Sequence, residues 1–126
     1  MWAQFWNYFP NFRSENRFVG GTKSGHVAIF NGNLIEKSVK LFKNSDQCKN
    51  AALVRYSDGR IYAVAVDSSI TVLNMKLQAK KVIGQKVQSE IYAFVVTPDY
   101  VAVGSANRKA LVYDKRGNML LVRVTL

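Results

Sequence analysis

The stretch FVGGTKSGHVAIFN (residues 18–31) sets two apolar runs on either side of a turn of small residues. Taken alone it predicts one hairpin, because the runs are rich in strand-forming residues and the turn carries glycine. Slid along the chain without gaps, it meets two partners. They are IYAVAVDSSITVLN (61–74) and VAVGSANRKALVYD (101–114), at offsets of 43 and 40 residues. Each copy has an apolar half, a polar or small turn, and a second half ending in a large apolar residue followed by Asn or Asp.

Further runs flank each copy. Upstream lie AQFWNYFPN (3–11), AALVRYSDG (51–59) and IYAFVVTPD (91–99); downstream lie LIEKSVKLF (34–42), AKKVIGQKV (79–87) and NMLLVRVTL (118–126). Between the runs sit turn formers. Ser57-Asp58-Gly59 and Pro98-Asp99 break the first pair, Lys23-Ser24-Gly25 and Asn107-Arg108 the second, and Asn31-Gly32-Asn33 and Lys115-Arg116-Gly117-Asn118 the third. No helical stripe with capping residues competes with this reading. Four short strands repeated every 40 to 45 residues is the period of a propeller blade. The predicted fold is all-β: a segment of three four-stranded blades, half of a ring, in one domain over 1–126. Blade limits are expected near 2–46, 47–88 and 89–126.

On these residues the chain resembles the WD-repeat β-propeller family. Phe30-Asn31, Leu73-Asn74 and Tyr113-Asp114 occupy the place of the Trp-Asp dipeptide, and YSDG and TPDY are similar to the family's hairpin between its first two strands. The Gly-His pair that opens a family blade is missing, so the family's Asp-His-Ser/Thr-Trp network is not implied. GGTKSGHVAIFN (20–31) is also similar to hairpins of echinoderm microtubule-associated-protein-like propellers. That likeness implies a microtubule partner.

Three blades fall short of the four to eight of a typical ring, and repeat arrays need their end faces capped. Three readings stay open: two copies make a six-bladed ring, the blades complete a partner's partial propeller, or the sequence is part of a longer chain; the expected partner is a protein, or a second copy of this chain, that completes the propeller. Trp2, Phe5, Trp6, Tyr8, Phe9 and Phe12 are the candidate subunit contact, since strand alternation turns about half of them away from their own sheet's core.

Charge points outward. Eighteen Lys and Arg against eight Asp and Glu give a formal charge of +10, which favours a polyanionic partner. With ordinary blade topology, Lys23, Lys43, Lys49, Lys86, Arg108 and Lys109 collect on one rim, and Lys76, Lys115 and Arg116 on the other. These are the candidate partner-binding residues, for an acidic protein surface such as the tails of tubulin, or for RNA.

Catalytic chemistry finds little footing. His26 is the only histidine and Cys48 the only cysteine, and they belong to different loops. One cysteine also excludes a multi-thiolate metal site. Asp58, Asp67, Asp99 and Asp114 sit at turns or at the family's strand-end position, where local hydrogen bonding accounts for them. GGTKSG lacks the spacing of a phosphate loop and precedes no helix. No catalytic, cofactor or metal site is expected.

The N-terminus lacks the basic region and cleavage site of a secretory leader, and no run reaches the length of a membrane span. The expectation is an intracellular protein, cytoplasmic, cytoskeletal or nuclear, without membrane insertion. Its expected function is that of a non-catalytic interaction scaffold in a larger assembly; the alternative is a component of an RNA-processing or ribosomal particle that contacts RNA through basic loops.

Overall fold

The computed structural model describes residues 7–8, 17–22, 24–42, 52–65, 68–87, 89–106 and 109–124. These residues form twelve strands in three antiparallel sheets of four, each strand paired with its neighbour in sequence. Sheet 1 holds β1 (Asn7–Tyr8), β2 (Arg17–Gly21), β3 (His26–Asn31) and β4 (Leu34–Lys40). Sheet 2 holds β5 (Leu53–Ser57), β6 (Arg60–Val64), β7 (Ser68–Leu73) and β8 (Ala79–Val87). Sheet 3 holds β9 (Ile91–Val96), β10 (Tyr100–Ser105), β11 (Lys109–Asp114) and β12 (Met119–Val124). No helix among the described residues is long and apolar enough to cross a membrane.

The hairpins follow their turn chemistry. Ser57 pairs with Arg60 across Asp58-Gly59, both of which take positive φ (50° and 74°), the geometry a two-residue Asp-Gly loop needs to match strand twist. Asn31 pairs with Leu34 across Gly32-Asn33, with Gly32 at φ 60°. Thr97 closes the next turn: its amide donates to the Tyr100 carbonyl (2.9 Å), and its hydroxyl accepts from the Tyr100 amide (3.0 Å).

Strand alternation gives sheet 2 two apolar faces. Val54, Ile61, Ala63 and Leu73 pack toward Val19, Val27 and Ile29 of sheet 1. Their neighbours Leu53, Tyr62, Val64, Ile70 and Val72 pack toward Phe94, Val101, Val103, Leu111 and Tyr113 of sheet 3. A strand buried on both faces reads as a continuous apolar run, which is how IYAVAV (61–66) and its repeats read. The first strand of sheet 2 touches both neighbours, while the fourth strands β4 and β8 are largely exposed. The three sheets stack in series as propeller blades and do not close into a ring.

One irregularity locks the second seam. The register of β8 on β7 shifts between Ser68 and Ile70, and in that stretch Gly84 adopts φ 76°. A Cβ on Gly84 would run into the Tyr113 ring, standing 2.6 Å from its hydroxyl oxygen. The same hydroxyl accepts a hydrogen bond from the Gln85 amide at 3.3 Å. Sheet 2 thus bulges to receive the aromatic of sheet 3.

Gly84→Ala should therefore cost about 2–4 kcal/mol, combining left-handed backbone strain with displacement of a buried ring. Gly32→Ala, at positive φ but with open space around it, should cost only about 1 kcal/mol. Urea unfolding of the two variants side by side checks the difference; equal losses would mean the Tyr113 contact contributes nothing.

Candidate functional site

The third and fourth strands of sheets 2 and 3 are joined by turns built alike. In sheet 2, the Asn74 Oδ1 accepts from the amides of Lys76 (3.0 Å) and Gln78 (2.9 Å), and its Nδ2 donates to the Gln78 Oε1 (2.8 Å). In sheet 3, the Asp114 Oδ1 accepts from Arg116 (3.0 Å) and Asn118 (2.9 Å), and its Oδ2 accepts from the Asn118 Nδ2 (3.0 Å). The residue closing each turn, Leu77 or Gly117, has positive φ. Donation from Asn118 holds the Asp114 carboxyl below the usual aspartate range, with the side-chain and neighbouring backbone donors adding to the effect. Asn74 and Asp114, two of the three residues compared above with the WD-repeat Asp, are turn caps.

These capped turns fix where the cations stand. Lys76 and Arg116 are exposed on them. Lys115 is turned inward: its Nζ lies 4.7 Å from the centre of the Tyr62 ring and donates to the Ser57 Oγ at 3.4 Å. Lys81 of β8 donates to the Lys115 carbonyl, so this corner ties sheets 2 and 3 together.

At the opposite end, the connections into β5 and β9 meet the turns between second and third strands. The Ala52 amide donates to the Thr22 carbonyl (3.1 Å), and the Ala106 amide to the Glu90 carbonyl (2.8 Å). His26 belongs to the first of these turns. Its Nδ1 lies 2.9 Å from the Ser24 Oγ, which lies 2.8 Å from the buried Thr22 Oγ1; that oxygen accepts from the His26 amide at 3.0 Å. This chain of hydroxyls and imidazole closes a turn. Lys86 and Lys109 stand exposed at this end.

Lys23, Lys43, Lys49 and Arg108 lie outside the described residues, as do Cys48, Asp67 and the aromatics Trp2, Phe5, Trp6, Phe9 and Phe12. Tyr8 is in β1, paired with Phe18. No cluster of metal-ligating side chains occurs among the described residues.

Sequence reading passed over Arg55. It sits on β5, its Nε donating to the Phe94 carbonyl (3.1 Å), its Nη1 to the Val54 carbonyl (2.9 Å), and its guanidinium 6.0 Å from the centre of the Phe94 ring. Burial pushes its pKa down from the ordinary arginine value. The available signal was a cation inside the apolar run AALVRY, where only a residue with its own partners is tolerated.

No protein-family model and no curated protein matches the chain. Solved structures do. The computationally designed Ika8 protein is similar over 91% of this chain and 36% of its own, with a TM-score of 0.72 and 18% identity. The WD40 β-propeller domain of Doa1 matches 90% of this chain and 38% of its own (TM-score 0.71, 16% identity). BBS1N, solved in complex with ARL6DN, matches 86% and 33% (TM-score 0.65, 20% identity). The chain spans about a third of the length of these neighbours. Similarity at this identity establishes the β-propeller fold.

Two outcomes follow from the geometry of these contacts. Arg55→Ala should destabilise the fold by about 1–3 kcal/mol, through loss of charge-assisted donation to a carbonyl across the seam and of the aromatic contact; urea unfolding measures it. For Asp114 the folded pKa lies below the unfolded one of about 3.9, so its stabilisation is present above that value and is lost as pH falls through the folded pKa. Asp114→Asn should flatten the dependence of the urea midpoint on pH below about pH 4, whereas a midpoint curve identical to that of the parent chain would rule out this carboxylate.

Proposed function

We propose that the chain is a non-catalytic interaction scaffold, a partial propeller working within a larger protein assembly. The carrying observation is the pair of capped turns on sheets 2 and 3, which hold Lys76 and Arg116 exposed on one rim of a rigid stack. Exposed cations of fixed backbone position speed encounter with an acidic surface and select for it. The net charge of +10 acts in the same direction. The microtubule-associated likeness of the first hairpin makes the acidic tails of tubulin the preferred partner, which implies a cytoplasmic or cytoskeletal location.

Co-sedimentation with microtubules, intact or stripped of their acidic tails, tests this reading. Binding should fall on tail removal, and Lys76→Glu with Arg116→Glu should weaken it roughly tenfold at low salt, an effect that shrinks as ionic strength rises. Binding unchanged by tail removal and by both reversals would exclude the rim. RNA added as competitor separates the other polyanion: tight RNA binding with a steep salt slope, and none to microtubules, would instead favour a place in an RNA-containing particle.

A further inference from the structure

Two positions of the repeat change character from one sheet to the next, and both changes leave positive charge at one corner. Arg17 and Arg60 are matched at the repeat offset of 43 residues. In sheet 1, Arg17 forms an ion pair with Glu36. The strand registers identify the counterpart of Glu36 in sheet 2. Phe30 pairs with Ile35 and Ile29 with Lys37, which leaves Glu36 as the extra residue of a register shift; Leu73 pairs with Ala79 and Val72 with Lys81, which leaves Lys80. Where sheet 1 neutralises its arginine, sheet 2 has a lysine. The residue after the turn cap changes likewise. Met75 follows Asn74 and packs against the apolar cluster shared by sheets 1 and 2, whereas Lys115 follows Asp114. A neutral side chain serves the first seam and a cation the second.

Register brings these cations together. The Lys115 Nζ lies 4.7 Å from the centre of the Tyr62 ring and donates to the Ser57 Oγ at 3.4 Å. Ser57 pairs with Arg60, and directly paired residues share a face of the sheet. Alternation puts Arg60 and Tyr62 on that same face, and the pairs of Tyr62 with Val72 and of Val72 with Lys81 extend it to β8. Ser57, Arg60, Lys81 and Lys115 thus gather at one corner, with the buried Tyr62 beneath. Among the described residues neither Arg60 nor Lys115 forms an ion pair. The carboxylate next to Lys115 in sequence, Asp114, is taken up by Arg116 and Asn118. Holding a half-buried cation without a counter-charge is costly, and an anion from outside offsets that cost.

We propose that this corner binds a carboxylate, an Asp or Glu side chain of an acidic segment, seated on the Lys115 ammonium and the Ser57 hydroxyl with Arg60 beside them. The proposal rests on the scaffold reading and gives its acidic partner a defined point of attachment. The Ser57 hydroxyl accepts from Lys115 and keeps its own proton to donate. Two donors 3.4 Å apart suit the two oxygens of a carboxylate. A phosphate brings a further oxygen and further charge, and the face of the Tyr62 ring offers no donor to meet them.

The test titrates a fluorescein-labelled oligoglutamate with the full chain at low salt and reads its anisotropy. Lys115→Met installs the residue of the first seam, and Lys80→Glu installs the acid of sheet 1. Each should weaken binding about tenfold, the scale of one charge-assisted hydrogen bond. Because Lys80 is exposed, its variant probes the site without disturbing the seam. Lys37→Met and Lys37→Glu make the same charge changes at an exposed position of sheet 1 and should alter binding less than about twofold. Equal losses at positions 37, 80 and 115, or no loss at 80 and 115, overturn the proposal and leave the scaffold reading, which needs positive charge alone. Displacement of the peptide by inorganic phosphate at lower concentration than by acetate overturns the carboxylate assignment. A parent chain that binds microtubules but not oligoglutamate also overturns the site alone, and one that binds neither overturns both.

Discussion

The structure depends on the packing of one sheet face on the next. No single sheet of this chain has a core of its own: the apolar residues on the two faces of sheet 2 are buried in clusters shared with sheet 1 on one side and sheet 3 on the other. That constraint explains why the strands carry nearly unbroken apolar runs, and why the fourth strands, at the outer edge, carry Lys37, Lys40, Lys80 and Lys86 in exposed positions. Lysines on an outer strand also discourage edge-to-edge pairing with other chains.

Packing by area alone would leave the sheets free to slide, and the second seam shows what prevents it. The Tyr113 ring enters the space that a side chain on Gly84 would fill, Arg55 reaches across to the Phe94 carbonyl, and Lys115 lies over Tyr62 and donates to Ser57. Each contact joins sheet 2 to sheet 3 at a different radius, from the first strand to the fourth. Directional bonds at several points fix one register between two surfaces that are otherwise merely apolar.

Much of the architecture was legible in the sequence, because it follows from local chemistry. The run AKKVIGQKV is β8 from end to end, and Asp58-Gly59 and Asn31-Gly32 mark their turns through the backbone freedom those residues confer. The details that decide the seams were less legible. Gly84 looks like a weak point in a strand until Tyr113, distant in sequence, is seen against it. Leu77 takes positive φ where sheet 3 uses Gly117, and its burial against sheet 1 residues offsets a backbone cost that propensity alone would forbid. Among the rim cations, sequence could not separate Lys115, which is held at a seam, from Lys76 and Arg116, because the difference is made by Tyr62 and Ser57 of another sheet.

The same logic distinguishes the two ends of the stack. Ala28 and Phe30, on the outer face of sheet 1, are buried, whereas the outer face of sheet 3 carries smaller side chains at the repeat-matched positions, Ala102, Gly104 and Ala110, none of them buried. An array with two equivalent open ends would polymerise or close on itself, since each end would be the complement of the other. With Ala28 and Phe30 buried on one end face and Val95 exposed on the other, the two end faces of the described stack are not equivalent.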